Sequence, residues 1–103
     1  MTRGQKIECN VEKAMKAIEK MKSSRRINYT VEKIKASNEL TLQIEATRDN
    51  IKIGGGKYDT YGKVSCFEIY AVKNKTEVDV MTCQEWDNEK IKDSIRYLLN
   101  CWL

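Results

Sequence analysis

Apolar side chains recur at helical spacing through the first part of the chain. Within residues 2–23 the steps between them alternate between four and three, and the positions are Ile7, Val11, Ala14, Ile18 and Met21. Charged residues fill the intervening positions, so this stretch predicts an amphipathic helix. Thr2 and Gln5 have the spacing of an N-terminal capping box. We expect the apolar stripe to pack on the rest of the domain; a short coiled-coil seam with a second copy is the alternative.

The spacing then changes to the alternation of β-strands. Ile27, Tyr29 and Val31 alternate with polar residues, which predicts a first strand within residues 25–36. Ser37-Asn38 is a turn signal. A clearer alternation follows over residues 40–47, with apolar positions at Leu40, Leu42, Ile44 and Ala46. This second stretch predicts a strand with one buried face and one polar face.

The alternation loses its phase at Asp49-Asn50, because Ile51 and Ile53 fall on the opposite face from the earlier apolar set. A one-residue slip turns every later side chain to the other side of a sheet unless the backbone absorbs it. Either a bulge within one long strand or a tight turn between two strands would do so. The sequence therefore predicts four strands or five.

The segment Gly54–Lys63 is the largest interruption between the predicted strands. It holds four of the five glycines of the chain, together with two tyrosines and two lysines: Lys57, Tyr58, Tyr61 and Lys63. The glycine spacing does not match the phosphate loop that leads from a strand into a helix. We interpret the segment as a long hairpin connection whose tyrosines and lysines are available for contacts.

Two more strands and a helix complete the predicted order. Residues 64–72 and 76–81 alternate around an Asn74-Lys75 turn, and residues 83–102 return to helical spacing after a possible Thr82–Glu85 capping box. The predicted fold is a single α+β domain over residues 1–103. It is a two-layer sandwich with an N-terminal helix, a four- or five-stranded antiparallel meander and a C-terminal helix.

Composition and charge narrow the functional classes only slightly. Charged residues make up 33% of the 103 residues, and the net charge of +4 is spread along the chain with alternating signs. This mild excess permits nucleic-acid binding without requiring it. No apolar run reaches the ~20 residues of a membrane span, and the first residues do not resemble a signal peptide. We therefore expect a cytoplasmic protein that does not insert in a membrane.

The residues that usually carry chemistry are sparse. No histidine is present to activate a serine or cysteine, and the four cysteines lack the paired spacing of a zinc site. We expect Cys9, Cys66, Cys83 and Cys101 to be free thiols that act as small buried hydrophobes. The sequence thus predicts a protein with no catalytic residues, no cofactor and no metal. A small histidine-free nuclease is a second alternative to the binding function considered next.

Binding is the favoured function. The chain is similar in size and plan to the small inhibitor or accessory proteins carried by viruses and mobile elements. We expect it to dock on a protein or a ribonucleoprotein, as a monomer or homodimer, through Lys57, Tyr58 and Tyr61. The first alternative is nucleic-acid binding by a basic strand edge and the glycine-rich segment. The residues of this alternative are Arg25, Arg26, Lys33, Lys35, Lys57 and Lys63.

Overall fold

The computed structural model describes residues 1–53, 59–84 and 87–103, and for residues 50–53 and 59–61 it describes the backbone. Its elements are α1 (Arg3–Ser23), β1 (Val31–Lys35), β2 (Leu40–Ile53), β3 (Asp59–Lys73), β4 (Thr76–Cys83) and α2 (Asn88–Trp102). The strands form one antiparallel sheet in the order β1-β2-β3-β4. The predicted α+β class, with a helix at each end of an antiparallel meander, is confirmed.

Both helices pack on the same face of the sheet and against each other. The apolar stripe of α1 is buried there as its spacing predicts, and so are the alternating residues of β2 from Leu40 to Ala46. Phe67, Ile69 and Ala71 of β3 complete the centre of the core with the buried side of α2. The opposite face of the sheet carries no helix in the described part of the chain.

The predicted phase slip is a bulge, so the sheet has four strands. Thr47 is opposite Cys66, but the next residue, Arg48, is opposite Val64. The extra residue is therefore Ser65 in β3, and not a residue at Asp49-Asn50. Because β3 absorbs the slip, β2 runs on without a turn. Val64 and Phe67, three positions apart, are both buried in the core.

The first strand is shorter than predicted. β1 begins at Val31, and residues 24–30 leave the alternating pattern to cross the sheet in irregular conformation. Ile27, in this segment, is 45% exposed. Val31 is 43% exposed because it shares the outward face of β1 with two lysines. A strand does lie within residues 25–36, but the prediction that it includes Ile27 and Tyr29 was wrong. Instead of forming a ladder, the main-chain groups of residues 24–30 bond to a side chain and to other strands.

The second helix also begins later than predicted. Thr82 lies in β4, where it pairs with Glu68, and α2 begins at Asn88. Asp87 is its N-cap: the carboxylate accepts the backbone N–H groups of Glu89 at 2.9 Å and Lys90 at 3.4 Å. Residues 81–83 pair with β3 as part of β4, which prevents α2 from beginning there. The proposed partner Glu85 lies outside the described residues.

The four cysteines are free thiols, and they differ in exposure. Cys83 is buried, Cys9 and Cys66 are half-buried, and Cys101 is exposed. The interpretation as buried hydrophobes therefore holds for Cys83 alone. No helix in the described ranges is long and apolar enough to cross a membrane.

Candidate binding surfaces

The two central strands extend well beyond their neighbours. β1 pairs with β2 only over Thr41–Glu45, and β4 pairs with β3 only over Phe67–Lys73. Residues 47–53 and 59–66 therefore form a two-stranded projection, which we call the arm. Seven strand residues rise about 23 Å, and the molecule is accordingly elongated, measuring 56 × 27 × 20 Å. The arm leads to residues 54–58, which lie outside the described part of the chain.

Residues 24–30, which we call the crossing segment, pass across the base of the arm. At one end the Gly62 N–H of β3 donates to the Arg25 carbonyl at 3.1 Å. At the other end the Ala46 N–H of β2 donates to the Thr30 carbonyl at 2.8 Å. Between them Ile27 passes so close to Gly62 that a Cβ on that glycine would lie 2.9 Å from the Ile27 Cα. Only glycine permits this approach of two backbones.

Arg48 holds the crossing segment in place. Its guanidinium donates to main-chain carbonyls at the end of α1, with Met21 at 2.7 Å and Ser24 at 2.9 Å. It also donates to the carbonyls of Gly62, at 2.8 Å, and Tyr29. The carbonyls at a helix C-terminus carry partial negative charge, which favours a cation. One side chain therefore joins α1, the crossing segment and both strands of the arm.

The side chain of Arg48 is half-buried. Burial lowers the pKa of the guanidinium from its ordinary value, although an arginine remains charged at any physiological pH. The guanidinium carbon lies 5.6 Å from the centroid of the Tyr29 ring, within reach of a cation–π contact. This cation is thus balanced by carbonyl oxygens and a ring face.

Tyr29 fastens the other side of the crossing segment. Its hydroxyl donates to the carboxylate of Glu32, and that carboxylate lies 3.8 Å from the Lys20 ammonium of α1. Burial, and then the hydrogen bond to Glu32, raise the pKa of Tyr29 to about 12. The phenol therefore stays protonated and continues to donate across the physiological range.

Sequence reasoning missed Arg48, although a signal exists. Arg48 continues the inward-facing series of β2 that ends at Ala46, so strict alternation places it toward the helices. In the sequence the clear alternation ends at Ala46–Thr47 and its phase is lost at Asp49-Asn50, so Arg48 was not considered as an inward-facing residue. The carbonyls that accept its hydrogen bonds come from the end of α1, the crossing segment and β3, and no spacing in the sequence brings these three together.

Three of the predicted basic residues come together at the base of the arm. Arg25 and Arg26 are exposed on the crossing segment, and Lys63 is exposed on β3 beside Gly62, the residue that bonds to Arg25. Lys63 pairs across the arm with Asp49. Of the residues predicted for the glycine-rich segment, Lys57 and Tyr58 lie outside the described residues. For Tyr61 only the backbone, opposite Ile51, is described.

Lys33 and Lys35 lie elsewhere. Both are exposed on the same face of β1, as predicted, where they pair with Gln43 and Thr41 of β2. Gln43 is seven residues from Asn50, the partner of Gly62, and seven strand residues span about 23 Å. The structure therefore divides the predicted basic edge into two separate groups.

The helix-free face of the sheet has mixed charge. In the four-stranded part of the sheet, the charged strand residues of this face are the two lysines of β1 and three carboxylates, at Glu45, Glu68 and Glu77. The Tyr70 hydroxyl donates to Glu68, and this hydrogen bond, followed by burial, raises the pKa of Tyr70 to about 12. Carboxylates in the middle of the face would repel a phosphate backbone, which argues against nucleic-acid binding there.

Metal binding finds no support in the described residues, where no three Asp, Glu or Cys side chains are grouped so as to hold an ion. The arrangement at the base of the arm can do something simpler: it fixes the direction of a projecting hairpin. Comparison with known proteins adds no relative, since no family model, curated protein or solved structure matches this chain.

Proposed function

We propose that this protein is a small non-enzymatic binding module that docks on a protein or ribonucleoprotein, and that the arm is its docking element. The observation that carries the proposal is the projection of the arm beyond both neighbouring strands. A two-stranded hairpin is marginally stable by itself in water. A long hairpin held at its base by Arg48 and the crossing segment is well suited to reach into a partner.

The two edge strands of the sheet are protected against pairing with another chain, whereas the arm is not, and this contrast supports the proposal. The edge strand β1 has only five residues and carries Lys33 and Lys35, which discourage pairing with another chain. The edge strand β4 has a register shift beside Val78, and the Asp79 carboxylate accepts the Val80 N–H at 2.9 Å. Both ordinary edges are thus protected. No described segment pairs with the outer edges of the arm beyond Gly62.

An unpaired strand edge binds an extended peptide through main-chain hydrogen bonds, and its side chains then provide specificity. We therefore favour a protein partner that presents a strand to the arm. Tyr58, Tyr61 and Lys57, which the sequence predicts as contacts, belong to the arm or its tip. In this proposal they supply the side-chain part of recognition.

An arm-shortened variant tests the proposal. Residues 52–60 are replaced by Asn-Gly, so that Ile51 and Tyr61, which already face each other, flank a type I′ turn. Lys75→Gly is the matched control, because it places Asn-Gly in the β3–β4 hairpin, where Asn74 and Lys75 already have φ of 51° and 67°. Both variants should remain folded.

Wild type is first used to isolate a partner from the cells that express it, and that partner is then purified. We expect the purified partner to bind the arm-shortened variant at least about tenfold more weakly, a loss of 1.4 kcal/mol or more. Lys75→Gly should bind like wild type. Equal affinity of the arm-shortened variant for the purified partner would overturn the proposal.

Nucleic-acid binding by the same arm is the second candidate. One observation favours it: Arg25, Arg26 and Lys63 lie together at the base of the arm, and β-ribbons are known to enter nucleic-acid grooves. Titration with single- and double-stranded oligonucleotides at two salt concentrations separates the candidates. If nucleic acid is the partner, log K falls steeply with log salt, and Arg26→Gln with Lys63→Gln lowers that slope by about two. A protein partner predicts weak binding to either oligonucleotide.

A further inference from the structure

A cavity of about 700 Å³ lies at the other end of the molecule from the arm. It is formed between the first half of α1, the turn between β1 and β2, and the last residue of the chain. Its polar lining consists of Arg3, Lys6, Asn10, Lys13, Ser37 and Asn38. Ligand cavities typically measure about 300–1,000 Å³, so the volume suits a small molecule.

The cavity concentrates positive charge. Arg3, Lys6 and Lys13 line it, and no Asp or Glu side chain does. Residues at spacings of three and seven share one face of a helix, which brings these cations to the same side of α1. Lys6 and Lys13 make no ion pair with any described residue.

Some cations elsewhere on the two helices form ion pairs. Arg96 binds Glu8 and Asp93 at 2.8 Å and 3.0 Å, and Lys92 pairs with Glu89 at 3.5 Å. Arg3 is held in the cavity wall by the main-chain carbonyls of α2, with Asn100 at 2.7 Å. The cavity thus contains Arg3, held by the main-chain oxygens of Asn100 and Leu103, and two ammonium groups that pair with no described Asp or Glu side chain.

Asn10 adds a directional donor to the lining of the cavity. It is 5% exposed. Its amide donates to the Lys6 carbonyl at 2.9 Å, and no described group accepts its second N–H or donates to its oxygen. Asparagine is a poor residue for a helix interior. The second N–H of this amide is therefore available to an acceptor on a ligand in the cavity.

We propose that this cavity binds the phosphate groups of a small anionic molecule. Lysine ammonium groups bind phosphate as mobile point charges, and the Asn10 amide adds a directional donor. The inference goes beyond docking by the arm, because the cavity adjoins the Leu40 end of β2 whereas the arm begins after its Ala46. If the cavity does not bind phosphate, the proposal that the arm docks on a partner is unaffected, and the reverse also holds.

Calorimetric titration with inorganic pyrophosphate tests the site. We expect saturable binding, weakened about tenfold by the double substitution Lys6→Gln/Lys13→Gln because two charge-assisted contacts are lost. The control is Lys16→Gln/Lys33→Gln, which removes the same charge from two exposed lysines outside the cavity. This control should change the affinity by less than about twofold at physiological salt, where exposed distant charges are screened.

Asn10→Leu gives a test that does not change the net charge. It fills the space with an apolar side chain of similar size, and we expect pyrophosphate to bind about threefold to tenfold more weakly, as for the loss of one hydrogen bond. Circular dichroism and urea unfolding verify that the variant is folded; if it is not, the conservative Asn10→Gln takes its place, with the same expected direction.

Three results would overturn the inference. Pyrophosphate fails to bind saturably to wild type, or the two lysine pairs weaken binding equally, or a short oligothymidylate binds through Lys6 and Lys13 while pyrophosphate does not. The last result would assign the surface to a nucleic-acid backbone instead of a small molecule. The arm-shortened variant should bind pyrophosphate like wild type, which separates this site from the arm.

Discussion

Two arginines bind main-chain carbonyls at the C-termini of the two helices, and their surroundings differ. Arg48 is half-buried and bonds to four carbonyls, from the end of α1, the crossing segment and β3. Arg3 is exposed and bonds to the carbonyls of Asn100 and Leu103 at the end of α2. The chemistry is the same, a guanidinium on carbonyls with partial negative charge.

The difference between Arg48 and Arg3 lies in what replaces a lost hydrogen bond. At Arg3 water reaches the carbonyls, so removal of the guanidinium exchanges one partner for another. At Arg48 the carbonyls belong to residues that are buried or half-buried, so they would lose a partner without full compensation by water. Arg48 also unites segments that are distant in sequence, whereas the helix that Arg3 contacts is already held by its own buried face. Burial therefore decides which arginine the fold depends on.

The largest effect is expected from Arg48→Met, which keeps much of the aliphatic volume and removes the donors. We expect the free energy of unfolding to fall by about 3 kcal/mol, since buried carbonyls lose charged partners. Urea unfolding measures the change. The free energy of unfolding of Arg48→Lys should lie between those of Arg48→Met and wild type, because one ammonium group cannot reproduce the planar fork of donors of a guanidinium. A loss below about 0.5 kcal/mol for Arg48→Met, the range of ordinary surface changes, would refute this role.

Gly62→Ala tests the same region without changing Arg48. The new Cβ would lie 2.9 Å from the Ile27 Cα and 3.1 Å from the Arg48 Cδ, so backbone must move. Overpacking of this kind destabilises by about 1–3 kcal/mol. Gly4→Ala is the matched control, since nothing lies within 4 Å of its Cβ position in α1. In a helix it should stabilise slightly, and equal urea midpoints for the two variants would contradict the close contact at Gly62.

Arg3→Met is the counterpart of Arg48→Met at the other end of the molecule. We expect a loss of less than about 1 kcal/mol, because exposed charge–dipole contacts contribute little and are screened by salt. The same urea experiment compares the two substitutions directly. Equal destabilisation by Arg3→Met and Arg48→Met would contradict the claim that burial determines how much each arginine contributes to stability.

The smallest effect concerns the pKa of Tyr29. Its value in the folded protein is about 12, raised from an ordinary 10.0. The protonated phenol is therefore favoured by folding, and its contribution to stability is complete below about pH 10 and is lost as the pH rises toward 12. Urea unfolding across this window should show a smaller decline for Tyr29→Phe than for wild type. Tyr70, whose pKa is also about 12, titrates in both proteins and provides the common background; parallel declines would show that Tyr29 ionises normally.

The spacing of apolar residues predicted most of the fold, because burial imposes a period on helices and strands alike. The stripe from Ile7 to Met21 and the alternation from Leu40 to Ala46 are both found in the core. The boundaries were less predictable. Ile27 and Tyr29 alternate like a strand, yet Arg48 holds the Tyr29 carbonyl in irregular backbone. Long-range hydrogen bonds override a local pattern in this way.

The candidate sites were less visible in the sequence because they depend on register. Arg25, Arg26 and Lys63 are close only because Gly62 pairs with the crossing segment, and Lys33 is distant only because β1 pairs farther along β2. Neither relation follows from residue spacing. The bulge at Ser65 could likewise be located only through the pairing of β2 with β3. The need for a bulge or turn, however, followed from the phase of Ile51 and Ile53.

The most direct test of the central claim is the affinity of the arm-shortened variant for a purified partner, measured beside its free energy of unfolding. We predict stability within about 1 kcal/mol of wild type, since the described residues of the replaced stretch pair only with each other, and an affinity at least about tenfold lower. A variant that is equally stable and binds the partner with wild-type affinity would contradict the assignment of the arm as the docking element.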